Sequence, residues 1–195
     1  TTNSGYGVGQ KSKFCDENTP LNPISLYGRT KVEAEELIST HANYICFRLA
    51  TVFGYSYRMR TDLLVNNFVE TAVKKGKLEI FEPNFRRNFI HINDIVDAFL
   101  FSIKNFDKLK NNIFNLGLSS ANISKINLAR KIKKIIPKTK VIINKKGNDP
   151  DKRDYFVSNK KIEKAGFKAK VSLDEGIREL NGIFQNCDIK FINNY

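Results

Sequence analysis

The sequence predicts an α/β protein, and three observations carry the prediction. Short apolar runs at 44–49, 78–81 and 113–116 alternate with longer stretches whose apolar residues recur at helical spacing. Start and stop residues stand at the joints: Ser25, Ser124 and Ser172 ahead of helical stretches, Gly76 and Gly117 behind a helix and a strand. No internal repeat or low-complexity stretch interrupts the alternation, so strands and helices belong to one layered arrangement.

Residues 1–24 read as loop, punctuated by Gly5, Gly7, Gly9, Pro20 and Pro23. A helix starts at Ser25 and runs to about residue 41, with Glu33, Glu35 and Glu36 on its wetter side. Residues 44–49 form an apolar strand that ends in the segment 50–54. Leu64, Phe68 and Ala72 give 61–75 a helical period that stops at Gly76. Short strands follow at 78–81 and 89–92, and Asn93 caps a helix through about residue 105. The strand 113–116 closes at Gly117, Ser124 caps a helix to about residue 136, and 140–143 is a strand. A short helix occupies 159–165. The last helix runs over 172–185, behind a capping box, Ser172-Leu173-Asp174-Glu175, in which the two side chains each accept the other residue's backbone N–H.

The 195 residues suit one domain, or one and a small part, and an apolar fraction of 41% suffices for a core. No apolar run approaches the roughly 20 residues needed to cross a bilayer, and no signal peptide is read, so no membrane partner is expected. The cysteines Cys15, Cys46 and Cys187 are odd in number and form no CxxC pair, which fits reduced thiols in a cytoplasmic protein. With His41 and His91 alone, no His-rich zinc site assembles. The net charge of +13 is spread along the chain, and no aromatic residues interleave with its lysine runs. It reads as a solvated surface rather than a nucleic-acid platform, and it also suits an anionic small substrate.

Tyr27 and Lys31 carry the most chemistry. Residues i and i+4 of a helix share a face, and a cation beside a phenol favours the phenolate. Such a tyrosine can exchange a proton with a substrate hydroxyl. Thr2, just upstream, could hold the same substrate oxygen. The glycine-dense stretch from Gly5 to Gly9 is followed by Lys-Ser and a Pro-rich loop, not by a helix, so it is not a phosphate-binding turn. The chain starts at Thr1 inside what reads as a strand-end loop, the first sign of a truncated N terminus.

Four segments together resemble the extended short-chain dehydrogenase/reductase family, in particular its nucleotide-sugar epimerases and dehydratases. They are the Ser/Thr stretch ending in Tyr6-Gly7, Pro23-x3-Tyr27-x3-Lys31, the run from Arg86 to Asp94, and Phe114-Asn115-Leu116-Gly117 with Arg153-Asp154-Tyr155 downstream. The resemblance extends from residue 1 to about 185. It implies the C-terminal part of an NAD(P)-binding Rossmann fold with a smaller substrate-binding subdomain. Residues 1–55 would be the remaining catalytic part, and 56–195 mainly the substrate subdomain, with segments near 88–117 returning to the Rossmann sheet. The half with the Gly-rich cofactor turn would be missing.

The same resemblance implies roles. Tyr27 matches the acid/base, Lys31 the lysine that binds the nicotinamide ribose, and Thr2 the hydroxyl that holds the sugar oxygen. Asn67 and Phe68 match positions at the nucleotide's phosphates and base, and Arg87 and Arg153 match arginines that grip the diphosphate. The implied activity is that of an NAD-dependent nucleotide-sugar epimerase, similar to UDP-glucose 4-epimerases, working by transient oxidation of a sugar hydroxyl. NAD is the expected cofactor, with NADP possible, and a homodimer the expected state of the intact protein. A dehydratase or reductase of the same family, or an inactive nucleotide-sugar-binding fragment, are the alternatives. Three residues depart from the family pattern. Asn3-Ser4 stand where dehydratases carry Asp-Glu, which disfavours dehydration. Thr51 stands where many members have Asn, and Asn88 where Asp is usual.

Other readings stay open at this stage. Arg86 could be only a solvated neighbour of Arg87. Arg153 could pair with Asp149, Asp151 or Asp154 instead of phosphate. His91 reads as a core histidine, and Asp94 as a cap or brace of the following helix.

Overall fold

A computed structural model describes residues 1–9, 13–144 and 152–186. Cys187, Asp149 and Asp151 lie outside the described residues. The first 24 residues are not all loop. A 3-10 turn spans Asn3–Tyr6 and a short strand, β1, Phe14–Cys15. The helix α1 (Leu26–Ser39) follows, its N terminus capped by Ser25, whose Oγ accepts the Gly28 N–H at 3.0 Å. Next come β2 (Ile45–Leu49), β3 (Thr51–Phe53), α2 (Leu64–Lys75), β4 (Lys77–Ile80) and β5 (Arg86–His91). The remaining elements are α3 (Ile92–Lys104), α4 (Phe106–Leu109), β6 (Asn112–Leu116), β7 (Asn122–Ser124), α5 (Lys125–Ile135), β8 (Lys140–Ile143), β9 (Phe156–Val157), α6 (Lys160–Ala165) and α7 (Leu173–Asn186).

Among the described residues, four strand pairings are parallel: β2 with β6, β3 with β5, β4 with β8, and β1 with β9. Parallel pairs need crossovers, and here helices supply them, as an α/β chain requires. β7 pairs antiparallel with β5, and Thr2 forms a parallel bridge with Leu49 of β2. The main core lies where α2, α5 and α7 close over β3, β4 and β5, around Val65, Val69, Leu128 and Ile177. A second core, around Phe47, Ile90, Phe114 and Leu116, joins β2 and β6 to α3 and α6.

Several boundaries differ from the sequence reading, each for a physical reason. α2 starts at Leu64 rather than 61, and its predicted stop holds: Gly76 takes φ +64° in the left-handed region. The strand read at 89–92 begins at Arg86, because its polar first residues find partners in the segment 152–157. Asn93 is not the cap of α3. Strand passes directly into helix, and the His91 Nδ1 accepts the Asn93 N–H at 3.3 Å. His91 is a core histidine, as read. It is 2% exposed, its Nε2 lies 2.8 Å from Glu179 Oε2, and it wedges between Gly54 and Gly176. A Cβ on Gly54, which sits at φ +110°, would stand 2.4 Å from that Nε2. Asp94 braces a distant loop rather than its own helix, accepting N–H groups from Lys170 and Val171 at 2.8 and 3.0 Å.

Glu35 is the largest departure. Read as a wet-face residue, it is 4% exposed and faces β2. Cys15 and Cys46 are buried free thiols, and burial pushes both pKa values up, away from reactivity. Among the described residues, no helix is long and apolar enough to cross a membrane.

Candidate active site

α1 presents Tyr27 and Lys31 on one exposed face, with the Lys31 Nζ 5.8 Å from the Tyr27 ring centroid. The helix leans on the turn that carries Thr2. A Cβ on Gly28, next to Tyr27, would meet the Ser4 carbonyl oxygen at 3.3 Å and Pro23 Cβ at 3.0 Å. From the other side, a Cβ on Gly5 would meet the Val32 methyl at 3.1 Å. Two glycines thus let helix and turn approach closely, and α1, with Tyr27 and Lys31 on its exposed side, is fixed on the Thr2 turn.

Within that turn, the Thr2 Oγ1 caps the 3-10 segment by accepting the Ser4 N–H at 3.2 Å, and its hydroxyl donates to Ser4 Oγ at 3.1 Å. Arg153 Nη1 donates to the same Ser4 Oγ. The arginine therefore sits on the Thr2 turn. Of the aspartates that could have claimed it, Asp154 belongs to Arg86, and the other two lie outside the described residues.

Arg86 is more than a solvated neighbour. Its Nε and Nη2 donate to Asp154 at 2.8 and 3.1 Å, its backbone N–H donates to the same carboxylate, and its guanidinium lies 4.3 Å from the Phe156 ring centroid. Burial works against the Asp154 charge, but these hydrogen bonds outweigh it and hold the carboxyl below its ordinary value. A depressed folded pKa gives stability that is present above the unfolded value and lost as pH falls through the folded one. The denaturant midpoint is therefore expected to drop as pH falls below about 4 and on through the depressed folded value, and Asp154→Asn to flatten that drop. An equal drop in the variant would remove Asp154 from the acid response.

Arg87 is 3% exposed, donates from Nη1 to the Arg86 carbonyl at 2.8 Å, and has its guanidinium 5.6 Å from the Tyr155 ring centroid. Backbone hydrogen bonds between Gly9 and Asp154, and between Tyr155 and Arg86, bring both arginine segments alongside the first loop. Asn67 is exposed on the first turn of α2. Phe68 turns inward and is part of the main core, so its side chain packs. Asn88 keeps its local bonds as an amide. Its Nδ2 donates to the Leu118 carbonyl at 2.8 Å, and its Oδ1 accepts from Asn159.

The sequence reading did not find the buried network behind this site. Arg48 Nε and Nη2 donate to Glu35 at 2.7–3.1 Å, and Nη1 donates to the Tyr6 hydroxyl at 2.9 Å. The Tyr6 hydroxyl lies 2.7 Å from Asn115 Oδ1, to which it donates. One polar cluster thus ties α1 to β2, to β6 and to the end of the Thr2 turn. Burial pushes the Tyr6 pKa up to about 12 against the pull of Arg48 and Asn115, so this tyrosine is structural. Burial also opposes the Arg48 charge, but the Glu35 and Tyr6 contacts outweigh it and raise its pKa above the ordinary value.

The donor set fits one end of a nicotinamide dinucleotide. An exposed ammonium suits ribose hydroxyls, and a phenol stands beside it. The first loop does not fit the pyrophosphate end. Gly7, at φ +61°, is pressed on the Asn22 carbonyl, where a Cβ would lie 2.0 Å away, and a Cβ on Gly9 would meet Cys15 and Tyr155. These glycines serve backbone packing, and a four-residue 3-10 turn stands there rather than a helix N terminus.

A parallel α/β framework with a Tyr-x3-Lys helix packed on a strand-end threonine is the architecture of the short-chain dehydrogenase/reductase class. Residues 1–117 match the NAD dependent epimerase/dehydratase family, and the chain belongs to it. It is 29% identical over 170 residues to a UDP-glucose 4-epimerase of Lactobacillus helveticus, across 75% of this chain and 51% of that protein. It is 26% identical over 193 residues to the dTDP-D-glucose 4,6-dehydratase of Homo sapiens, across 92% and 52%. Among solved structures, the UDP-glucuronic acid 4-epimerase of Bacillus cereus in complex with UDP-glucuronic acid and NAD superposes with a TM-score of 0.80 at 22% identity, over 95% of this chain and 60% of that one. The fold is thus of the Rossmann type, and the chain spans about half the length of the curated relatives it matches.

Proposed function

We propose that this chain supplies the proton-transfer and substrate-gripping groups of an NAD-dependent nucleotide-sugar epimerase acting on a UDP-hexose. The observation that carries the reading is the packing of α1, which holds Tyr27 and Lys31 together on its exposed side, onto the Thr2 turn through Gly28 and Ser4. NAD, or NADP, when bound, supplies the hydride acceptor and donor. Tyr27 takes the proton of one sugar hydroxyl and later returns one to the same oxygen. Lys31 favours the phenolate, and Thr2 donates a hydrogen bond to the sugar oxygen while charge develops on it. Arg87 and Arg153, with Asn67, hold the diphosphate end. Phe68 fixes the turn of α2 that presents Asn67.

Epimerisation is favoured over dehydration because a carboxamide and a hydroxyl, Asn3 and Ser4, cannot provide the acid and base for loss of water. The NAD-loaded holoenzyme incubated with UDP-glucose is expected to yield the C4 epimer. A 4-keto-6-deoxy product would overturn the reading in favour of a dehydratase. Binding separates the arginines from the proton carrier: Arg87→Ala is expected to cost about 2–5 kcal/mol in UDP affinity, as truncation of a buried charge facing phosphate does. Calorimetry showing unchanged UDP affinity in both Arg87→Ala and Arg153→Ala would take the nucleotide grip away from these side chains.

A further inference from the structure

We propose that Ser4 is a positioning residue for Thr2, the middle member of a chain that runs from Arg153 through Ser4 and Thr2 to the substrate oxygen. The inference rests on the epimerase reading and deepens it. Ser4 is 2% exposed, and its Oγ accepts from two donors, the Thr2 hydroxyl at 3.1 Å and Arg153 Nη1. A serine oxygen has two lone pairs and one proton. Both lone pairs are thus engaged, and the proton remains to be given.

Thr2 is in the complementary state. Its oxygen accepts the Ser4 N–H at 3.2 Å, and its single proton is spent on Ser4. To hold a substrate oxygen, Thr2 must turn that proton toward the sugar. Ser4 can then turn its own proton back to Thr2 Oγ1, so the hydrogen bond between the two oxygens survives with its direction reversed. No covalent bond forms or breaks, and no proton changes owner. Thr2 ends with two accepted hydrogen bonds, from Ser4 N–H and Ser4 O–H, which leaves its own O–H aimed outward.

Arg153 adds to this. A guanidinium N–H on Ser4 Oγ polarises the Ser4 hydroxyl, and polarised hydrogen bonds in series strengthen one another away from water. The positive charge is thereby felt at the sugar oxygen two hydroxyls away, where negative charge grows during proton removal.

The test is a double-mutant cycle in the NAD-loaded holoenzyme, with UDP affinity measured alongside. Ser4→Ala is expected to lower kcat about tenfold, the worth of one hydrogen bond, with KM and UDP affinity within twofold of the parent. Added to Thr2→Ala, it is expected to cost less than a further twofold. Three results would overturn the inference alone: a silent Ser4→Ala beside a damaging Thr2→Ala, additive losses in the double variant, or a fall in UDP affinity parallel to kcat, which would make Ser4 a structural part of the turn. A silent Thr2→Ala would remove the epimerase reading of Thr2 and this inference with it.

Discussion

Arg48→Ala is expected to destabilise the fold by about 3–5 kcal/mol, because it strands a buried carboxylate. Glu35 and Arg48 are 4% and 5% exposed, and their closest N–O contact is 2.7 Å. Without the guanidinium, Glu35 keeps the Thr1 hydroxyl as a donor at 2.7 Å, and Tyr6 loses the donor at its oxygen. A domain has about 5–15 kcal/mol in total, so the loss would be visible as a large drop in the urea midpoint. The pair itself need not stabilise much. Replacing both residues together, as Glu35→Leu with Arg48→Met, is expected to recover most of the loss, since apolar replacements of buried ion pairs are often neutral. A single Arg48→Ala variant within 1 kcal/mol of the parent would show that the network carries no strain of desolvation.

This network also explains which parts of the sequence could be read. Ser25, Gly76, Ser124 and the Ser172 capping box act through local hydrogen bonds and backbone angles, and each stands where the sequence placed it. Tyr27 and Lys31 face the same way because four residues make about one helical turn. Glu35 was misread because hydropathy assigns a carboxylate to water, whereas its partner sits thirteen residues away on another element. The available signal was Arg48 itself, a cation within the apolar run Ile45–Leu49. The start of β5 was hidden for a similar reason. Arg86 looks solvated in sequence and Arg87 reads as a diphosphate ligand, yet the two are covered by Asp154 and Tyr155, some seventy residues on. The cap of α3 failed as a local rule because strand and helix join without a loop, so the last strand residue, His91, takes the capping position. Parts of the site set by one helix were therefore legible, and parts set by contacts between distant segments, the Arg153–Ser4 contact among them, were not.

Tyr27→Phe is expected to lower kcat of the NAD-loaded holoenzyme by about 10²–10⁴-fold, the usual worth of a positioned proton carrier. The substitution removes one oxygen and little else. Tyr27 is 55% exposed on the outer face of α1, and among the described residues its hydroxyl makes no hydrogen bond that holds the fold together, so stability should change by less than about 0.5 kcal/mol. Lys31 would remain near the ring, and the Thr2 turn would keep its contacts through Gly28. Nucleotide-sugar affinity should change little, because the diphosphate grip is assigned to other side chains. The loss should therefore fall on kcat, the pattern of a group that acts in the transition state more than in the ground state. Tyr6→Phe is the control. It removes a phenol of the same chemistry that is buried in the Arg48 network, and its damage should appear in the urea midpoint first. If Tyr27→Phe turned over within a few-fold of the parent, or if the two substitutions exchanged their effects, the proton would have to be carried by another group, and the exposed Tyr–Lys face of α1 would lose its catalytic assignment.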